Sequence, residues 1–383
     1  MLPNFKLSPE VILNQLDKRL GARVGLHLGS LFKRKQPALI GLDISSSSVK
    51  LVELSQEANG NYHVDCMAME FLERGAVVDG SIEKIDVVAA AIRRALKKSG
   101  TKTKHVALAL PAASVITRKI VLPANLREEE LEVQVESEAN QYIPFALDEV
   151  SLDFDVIGPS PTSPDDMEVL IAAARKEKVE DRVAAAESAG LKPVIVDIEP
   201  FSSRLAIDRI SQSGSVFQDS FIAVFDLGAT STNLSILHGG VAIYEREQAF
   251  GGNQLTQDIA KRYGMSLEEA EQKKRSGDLP DDYHTELLVP FVESIALEIT
   301  RALQFFFTST PYNRVDSIYL AGGGAALPGI EAVVLERTKV TTKCVNPFDG
   351  MEIAANFKGS QQLEMDAPAY LISCGLAMRR FTQ

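Results

Sequence analysis

The sequence has no tryptophan, and among its 383 residues it has only three cysteines and five histidines. The cysteines are Cys66, Cys344 and Cys374, and their wide separation matches no zinc-binding or disulfide spacing. The histidines are scattered as well, so nothing in the sequence indicates a zinc site. We expect the three thiols to be reduced residues of protein cores, in a reducing compartment.

Long hydrophobic runs are also missing. No apolar stretch reaches the roughly 20 residues that a membrane-spanning helix needs, and no signal peptide with a cleavage site is found. The composition, with 45% hydrophobic and 24% charged residues, is typical of globular proteins. A chain of this length is expected to form two or more domains with large cores.

Basic residues are in the minority, because 40 lysines and arginines stand against 52 acidic residues, a net charge of −12. This balance argues against non-specific nucleic-acid binding. Residues 1–36 differ, since they contain seven basic and two acidic side chains, a net +5 that leaves −17 for the remainder. Two interpretations of this basic N-terminal extension stay open: a contact with an anionic membrane surface or an acidic partner, or a solvated segment.

Two stretches share the plan of a strand, a polar turn and a second strand. The first, residues 39–54, ends its apolar run at Asp43, continues with four serines and carries Lys50 on the second strand. The second, residues 221–237, ends its first run at Asp226 and then turns. Two acid-tipped hairpins half a chain apart predict a duplicated fold that holds one polyphosphate between its halves.

The order of predicted elements supports this duplication. Residues 37–111 and 179–218 are predicted to form the first half, and residues 219–383 the second half, with a helical insertion at about 265–310. Residues 112–178 break the pattern with an inserted β-α-β-β subdomain. The predicted fold class is therefore α/β, with two mixed-sheet halves and a cleft between them.

Binding of a nucleoside triphosphate requires hydroxyls and main-chain amides near the phosphates, together with a divalent cation. Asp43 and Asp226 stand where strands end, and we expect them to hold Mg²⁺ through its water molecules. Lys50 can offset phosphate charge. Either hairpin alone is typical of an ordinary polar turn, but their repetition favours phosphate binding. The predicted phosphate contacts are Ser45, Ser46, Ser47, Ser48, Gly228, Ala229, Thr230 and Thr232, with Gly251 and Gly252 behind them.

Three further groups could contact the nucleoside or a water molecule. Gly322–Gly324 would let the backbone approach a flat ring or a phosphate, although a plain strand-to-helix turn could contain the same glycines. Glu271 and Lys274 lie three residues apart on one helix face, where they could bond a ribose and a base edge or form a solvated pair. Glu199 could orient a water molecule or Mg²⁺, or be a surface acid before a proline.

As a set, these motifs resemble those of the actin-like ATPase superfamily and, within it, of the PilM family of type IV pilus assembly proteins, which is related to FtsA. Residues 41–54 resemble the first phosphate motif, residues 225–232 the second, and residues 320–324 the adenosine motif. Residues 196–201 and 374–377 are similar to the two connecting segments at the hinge of the fold.

The resemblance implies two ribonuclease-H-like halves with an SHS2-like insertion, and ATP with Mg²⁺ as cofactors. It implies that a groove beside the inserted subdomain binds the cytoplasmic N-terminus of PilN, and we assign this contact to Tyr142, Ile143, Pro144 and Phe145. Contacts with the pilus assembly and retraction motor ATPases, self-association, and a cytoplasmic location peripheral to the inner membrane are implied as well. The expected role is an ATP-binding scaffold in pilus biogenesis and twitching motility.

Two other functions stay open at the level of the sequence. One is an FtsA-like, filament-forming cell-division or cytoskeletal ATPase, and the other is a small-molecule kinase of the same superfamily. Enzymatic activity is also open, because Glu199 is the one carboxylate that we nominate to activate a water molecule. In addition, Ser45 stands where many superfamily members have glycine. We expect ATP to be bound and to be hydrolysed slowly or not at all.

Overall fold

The structure is a computed structural model that describes residues 37–57, 60–212, 219–354 and 361–382. The basic extension predicted for residues 1–36 lies outside the described residues, as does most of the polar linker predicted at 211–220. The chain divides into two compact units. The first unit contains the described residues up to Leu205 together with residues 372–382, and the second unit contains residues 206–371.

Apart from the two short strands β4 and β5, the first half of the chain has the predicted order of elements. It begins with β1 Ile40–Ile44, β2 Ser48–Gln56, β3 Tyr62–Phe71, β4 Val77–Val78, β5 Ser81–Ile82, α1 Ile85–Ser99 and β6 His105–Leu110. The inserted subdomain follows as β7 Val115–Pro123, α2 Glu128–Tyr142, β8 Val150–Pro159 and β9 Asp166–Arg175. Then come α3 Lys176–Ser188, β10 Lys192–Ile198 and α4 Glu199–Gln212.

The second half repeats the meander and then becomes more helical. It contains β11 Phe221–Leu227, β12 Thr232–His238, β13 Val241–Gln248, α5 Asn253–Tyr263 and α6 Leu267–Ser276. A π-helical turn, His284–Leu288, leads into α7 Val289–Ser309. The remaining elements are β14 Ser317–Ala321, α8 Ile330–Thr338, β15 Thr341–Cys344, β16 Glu352–Ile353, α9 Gln361–Asp366 and α10 Leu371–Met378.

The sheet of the first unit places three strand ends at one edge. Its strands lie in the order β10-β6-β1-β2-β3, with β1, β2 and β3 antiparallel as the predicted meander requires. β10, β6 and β1 are parallel, so their C-terminal ends lie side by side. Every residue of β1 is buried, which explains why its sequence is an apolar run without alternation. This edge is where ligands bind in many open α/β sheets.

Helix α1 covers one face of this sheet. Val88, Ala91, Ile92 and Ala95 recur at helical spacing, are buried, and pack in one cluster with the apolar side chains of β1 and β2. Full burial of a side chain such as Ile92 contributes about 1.5–3 kcal/mol. The helix ends at Gly100, whose φ of 71° is left-handed, as the sequence predicts.

The inserted subdomain has its own small core. Its three antiparallel strands lie in the order β7-β9-β8, so the last strand of the subdomain occupies the middle. Helix α2 packs on one face of this sheet through Leu131, Val135 and Ala139. The rest of α2 is mostly exposed, since it carries a run of glutamates and only one narrow apolar stripe.

The C-terminal helix corrects the predicted domain division. The sequence assigned residues 219–383 to the second half, whereas residues 372–382 belong to the first unit. A side chain at Gly375 would place its Cβ 1.8 Å from the carbonyl oxygen of Ser202, so α10 packs directly against α4. Arg379 forms a buried ion pair with Asp197 at the end of β10. These long-range contacts are invisible in local sequence patterns.

The second unit has a five-stranded sheet in the order β13-β12-β11-β14-β15. β11 pairs antiparallel with β12 and parallel with β14, which repeats the arrangement of β1 with β2 and β6. The predicted apolar stripe of α7 is confirmed, because its members are buried in the core of this unit. They are Val292, Ile295, Ile299, Leu303 and Phe306.

The hairpin of β4 and β5 was not predicted. Its turn is Asp79-Gly80, a pair that favours tight hairpins, but two-residue strands are too short to give a periodic signal. Within the residues that the structure describes, no helix combines the length and the apolar character needed to cross a membrane.

Candidate functional site

The first predicted phosphate turn is closed by its own serines. The Ser45 amide and hydroxyl both donate to the carbonyl oxygen of Ser48, each at 3.0 Å, which fixes the turn between β1 and β2. Ser45, Ser46 and Ser47 are half-buried, and Ser48 is buried. Hydroxyls of this turn are therefore part of its architecture, and Ser45 supplies a side-chain bond that glycine could not make.

Lys50 forms an ion pair with Asp43 in this structure. The two residues are register partners on β1 and β2, and the Lys50 Nζ donates to Asp43 Oδ2 at 2.8 Å and to Ser45 Oγ at 3.2 Å. Both are buried, with Asp43 only 2% exposed. A buried pair is stable only when both charges have good partners. Lys50 thus balances the aspartate, in addition to the phosphate role predicted for it.

The second predicted turn has the same shape with a different charge balance. Asp226 lies near the end of β11, and its register partner on β12 is Asn233, a neutral residue where the first hairpin has lysine. The turn is closed by the Gly228 amide, which donates to the carbonyl oxygen of Ser231 at 2.9 Å. The carboxylate of Asp226 is half-buried. The register partners of the two aspartates thus differ in charge.

The triple glycine lies directly against this second turn. A Cβ at Gly322 would be 2.3 Å from Asp226 Oδ1 and 2.6 Å from the carbonyl oxygen of Leu227, and a Cβ at Gly324 would be 2.7 Å from the Leu227 side chain. A Cβ at Gly323 would meet nothing within 4 Å. Gly322 also has a φ of 79°, which side chains rarely adopt. The predicted adenosine motif and the second phosphate motif thus form one cluster.

The glycines at the start of α5 join the same cluster. The amides of Gly252 and Asn253 donate to the carbonyl oxygens of Gly228 and Ala229 at 3.0 and 2.8 Å. A Cβ at Gly251 would lie 2.6 Å from the Ala229 carbonyl oxygen. The first amides of α5 therefore hold the turn in place.

Glu271 and Lys274 connect α6 to the start of α5. Lys274 Nζ lies 2.6 Å from Glu271 Oε2 and donates to Thr256 Oγ1 at 2.7 Å, while Thr256 donates to Glu271 at 2.5 Å. Burial opposes ionisation of Glu271, but Lys274 and Thr256 hold its pKa below the ordinary value. Burial lowers the pKa of Lys274, and Glu271 opposes that shift. Thr256 was missed, because a lone threonine on a helix gives no signal.

Glu199 and Arg182 lie at the edge of the first unit's sheet. Glu199 is half-buried and is the first residue of α4, directly after β10. Arg182 of α3 is 1% exposed, and its Nε donates to the carbonyl oxygen of Ala109 at 2.7 Å. The sequence did not predict a buried role for Arg182, because an arginine in a helix rich in charged residues is usually exposed to solvent.

The predicted partner segment divides into buried and exposed side chains. Ile143 is buried in the core of the inserted subdomain, and Phe145 packs partly against that core. Tyr142 is 39% exposed, with the Arg118 guanidinium 3.9 Å from its ring centroid. Pro144 is exposed. A partner could therefore contact Tyr142 and Pro144 directly, whereas Ile143 shapes the surface from beneath.

One glycine beside Asp226 is open to a ligand. A Cβ at Gly251, Gly322 or Gly324 would clash with neighbouring protein atoms, whereas Gly323 borders open space, where a backbone without a side chain can be approached closely. Elsewhere in the described chain, as here, no group of three or more histidine, cysteine, aspartate or glutamate side chains could hold a metal. Single aspartates suit an ion that retains most of its waters, which is the coordination that Mg²⁺ prefers.

Curated proteins similar to the chain are ethanolamine utilization proteins named EutJ. The one from Salmonella typhimurium is 29% identical over 153 residues, which is 39% of this chain and 47% of the relative. The one from Escherichia coli K12 is 27% identical over 124 residues, 32% of this chain and 41% of the relative. The chain thus spans about half the length of the curated relatives it matches.

Solved structures resemble the chain over most of its length. A chain described as "PilM-PilN type IV pilus biogenesis complex" has a TM-score of 0.74 and 29% identity, over 90% of this chain and 99% of that chain. EutJ from Carboxydothermus hydrogenoformans has a TM-score of 0.52 and 17% identity, over 90% of both chains, and supports the fold alone. The chain has the actin-like ATPase fold.

The family assignment rests on nearly the whole sequence. Residues 41–381 match the family described as type IV pilus assembly protein PilM. This range contains both hairpins, the triple glycine and the inserted subdomain. The chain therefore belongs to the PilM family of type IV pilus assembly proteins.

Proposed function

We propose that the chain is an ATP-binding scaffold of the type IV pilus assembly machinery that binds the cytoplasmic N-terminus of PilN. The observation that carries this proposal is the family match over residues 41–381, with the site motifs inside it. The similar solved chain comes from a PilM–PilN complex, which supports PilN as the partner. Coupling of nucleotide state to pilus biogenesis and twitching motility is part of the proposal.

The nucleotide-binding part rests on the cluster around Asp226. We assign Asp226 to the hydration shell of Mg²⁺, and the turn Gly228–Thr232 to the phosphates. Gly322–Gly324 would face the nucleoside, because a backbone without Cβ atoms lets a ring approach. Asp43 keeps its predicted assignment to Mg²⁺, and Lys50 and the serine turn keep theirs to the phosphates. When ATP and Mg²⁺ are bound, they supply a charged group that these residues orient.

Glu271 and Lys274 would act at the nucleoside in this proposal. Their side chains already bond each other and Thr256, so a ribose hydroxyl would join an existing network. Glu199 is the proposed group for positioning a water molecule. It stands alone in that role among our assignments, so we propose slow hydrolysis or none.

The partner-binding part rests on the inserted subdomain. Tyr142 and Pro144 are exposed beside Phe145, and the aromatic rings are flanked by Arg118 and Arg175. Aromatic and arginine side chains are enriched where interfaces carry most of their binding energy. We propose that PilN binds here and brings the chain to the cytoplasmic face of the inner membrane. Contacts with the assembly and retraction motors would follow from that position.

The nucleotide assignment is tested with Asp226→Asn. Removing the charge should weaken ATP–Mg²⁺ binding at least about tenfold, because an ion that loses an anionic partner is held less tightly. Calorimetric titration measures this. Asp258→Asn, at an exposed position on α5, is the matched control and should bind as the wild type does. Unchanged affinity in Asp226→Asn would refute the assignment.

The partner assignment is tested with a synthetic peptide of the PilN N-terminus. Fluorescence anisotropy, with and without ATP–Mg²⁺, should show saturable binding that Tyr142→Ala weakens. Negligible binding of the peptide in both conditions would contradict the scaffold function. ATP-dependent polymerisation without peptide binding would favour an FtsA-like filament instead, and rapid phosphoryl transfer to a metabolite would favour a kinase.

A further inference from the structure

Helix α3 begins where the inserted subdomain ends, and its basic side chains reach three different elements. Lys176 Nζ donates to the carbonyl oxygen of Asp148, in the turn before β8, at 2.7 Å. Lys178 Nζ donates to Ser81 Oγ in the β4–β5 hairpin at 2.8 Å. One turn further along, Arg182 reaches the end of β6. The helix is therefore fastened at one end to the inserted subdomain and further along to the main sheet.

Arg182 is the most buried of these cations. Its Nε donates to the carbonyl oxygen of Ala109 at 2.7 Å, and its Nη1 donates to that of Gly80 at 3.1 Å. Among the described residues, its Nη2 has no hydrogen-bond partner although it is buried. A buried guanidinium that has only two neutral acceptors destabilises the folded protein unless anionic groups lie nearby. The acids whose charges act on it are, in order, Glu199, Asp43 and Asp181.

The sheet register explains why these acids lie near Arg182. Ala109 pairs with Asp197 on β10, two residues before Glu199. On the other side, Gly41 pairs with Ala107, so Asp43 stands level with Ala109. Arg182 thus binds the strand that lies between the two predicted nucleotide-site acids. Burial lowers the pKa of Arg182, and both carboxylates oppose that shift.

The other end of α3 meets the predicted partner segment. Arg175, the last residue of β9, places its guanidinium 4.6 Å from the ring centroid of Phe145. Lys176 then fastens the helix to the turn at Asp148, three residues after Phe145. Helix α3, with its 13 residues, therefore links the segment 142–148 to the strand edge that carries Asp43 and Glu199.

We propose that Arg182 is a positioning residue that couples the strand edge carrying Asp43 and Glu199 to the partner segment 142–145 through α3. The inference rests on the proposed function, because it requires that ATP and PilN bind at these two places. Arg182 touches neither ligand. It fixes α3 to the strand edge, so a shift of Asp43 or Glu199 on nucleotide binding moves the helix and the turn at Asp148.

The test is the ratio of peptide affinities with and without ATP–Mg²⁺. In the wild type we expect a ratio of about fivefold or more, which is typical of coupled sites. Arg182→Gln should bring the ratio towards one while both ligands still bind. Arg182→Lys keeps the charge and should restore part of the ratio. Lys176→Ala removes only the exposed link to Asp148, so we expect it to keep the fold and to lower the ratio.

A matched control separates positioning from loss of folding. The matched control is Arg93→Gln, because Arg93 also donates to a main-chain carbonyl of α3, that of Ser188 at 2.7 Å, but at the far end of the helix. It should keep the wild-type ratio.

Each outcome has a defined meaning. If wild-type chain binds ATP and peptide with a ratio of one, or if Arg182→Gln and Lys176→Ala keep the wild-type ratio, the coupling is refuted and the scaffold function stands. If the wild type binds no ATP, the proposed function fails together with the coupling. If Arg182→Gln does not fold, Arg182→Lys and Lys176→Ala decide the question alone.

Discussion

At the residue scale, the two hairpins differ in how their aspartates are balanced. Asp43 faces Lys50 across the hairpin, whereas Asp226 faces Asn233. Lys50 Nζ lies 2.8 Å from Asp43 Oδ2, and both side chains are buried. A cation near Asp43 would therefore compete with Lys50 for the carboxylate.

Gly322 is the position where a single methyl group should disturb the cluster around Asp226. In Gly322→Ala, the new Cβ would lie 2.3 Å from Asp226 Oδ1 at a φ of 79°. We expect ATP affinity to fall at least about tenfold and the free energy of unfolding to drop by roughly 1–3 kcal/mol. Calorimetric titration and urea unfolding measure the two quantities.

Gly329 provides the matched control for this prediction. It has the same φ of 79°, but a Cβ there would meet nothing within 4 Å. Gly329→Ala should cost only the backbone strain, about 1 kcal/mol, and should leave ATP affinity unchanged. Equal effects of the two substitutions on ATP binding would contradict the role of Gly322.

The pH dependence of stability should contain a contribution from Glu271. Its pKa in the folded protein is below the ordinary value of 4.5. A depressed carboxyl pKa stabilises the fold above the unfolded-state pKa, and this stabilisation is lost as pH falls through the folded-state pKa. Wild type should therefore be more stable than Glu271→Gln at pH 7, and the difference should shrink below about pH 4.

Unfolding by urea at a series of pH values measures this difference. Glu269→Gln is the control, because Glu269 forms an exposed pair with Lys273 at 3.7 Å on the same helix. Exposed pairs contribute little to stability, so this variant should follow the wild type. A difference for Glu271→Gln that stays constant from pH 7 to pH 3 would refute the assignment.

At the scale of secondary-structure elements, a buried ion pair joins Arg379, directly after α10, to Asp197 of β10. Arg379 donates to Asp197 at 2.5 and 2.9 Å, and Ser202 donates to the same carboxylate at 2.6 Å. Asp197 is 0% exposed, so its charge depends on these partners. The close approach at Gly375 leaves the helices no room to relax.

Removing one partner of this pair should lower the free energy of unfolding far more than removing both. Arg379→Met leaves a buried carboxylate without its cation, and we expect a loss of about 3–5 kcal/mol in the free energy of unfolding. The double variant Asp197→Ala with Arg379→Met should recover part of that loss. Arg301→Met, at the exposed pair with Glu298, should cost about 1 kcal/mol or less.

A double-mutant cycle in urea gives the coupling between Asp197 and Arg379. We expect a coupling energy well above the few tenths of a kcal/mol by which substitutions at independent sites deviate from additivity. Additive effects of the two substitutions would mean that the pair does not hold the C-terminal end of α10 to β10.

At the scale of the whole molecule, the three thiols are distributed over both units and none is poised to react. Burial and the carboxylate of Glu53 raise the pKa of Cys66 to about 12, and burial and Glu331 raise that of Cys344 to about 12. Cys374 is fully buried. The thiolate is the reactive form, so these shifts suppress oxidation and alkylation.

The folded chain should therefore react slowly with Ellman's reagent at pH 8. A rise of three units in thiol pKa lowers the thiolate fraction by roughly 1000-fold, and burial slows access further. All three thiols should react promptly in denaturant. Glu53→Gln should make Cys66 react faster, whereas fast reaction of Cys66 in the folded wild type would contradict the structure.

Local patterns in the sequence determined the elements and their order. The acid-tipped hairpins, the β-α-β-β insertion and the stripe of α7 were all predictable, because turn chemistry and hydrophobic periodicity are properties of neighbouring residues. The family and its fold followed from the same motifs. Two-residue strands such as β4 and β5 escaped, since they are too short for a period to appear.

Only the tertiary structure decided which of those residues meet. Arg182 reaches Gly80 across 102 residues, and Arg379 reaches Asp197 across 182. Likewise, Gly322 lies against Asp226, and α10 belongs to the first unit rather than to the half that precedes it. Such pairings depend on how strands are ordered in a sheet and how helices cross, which no local periodicity encodes.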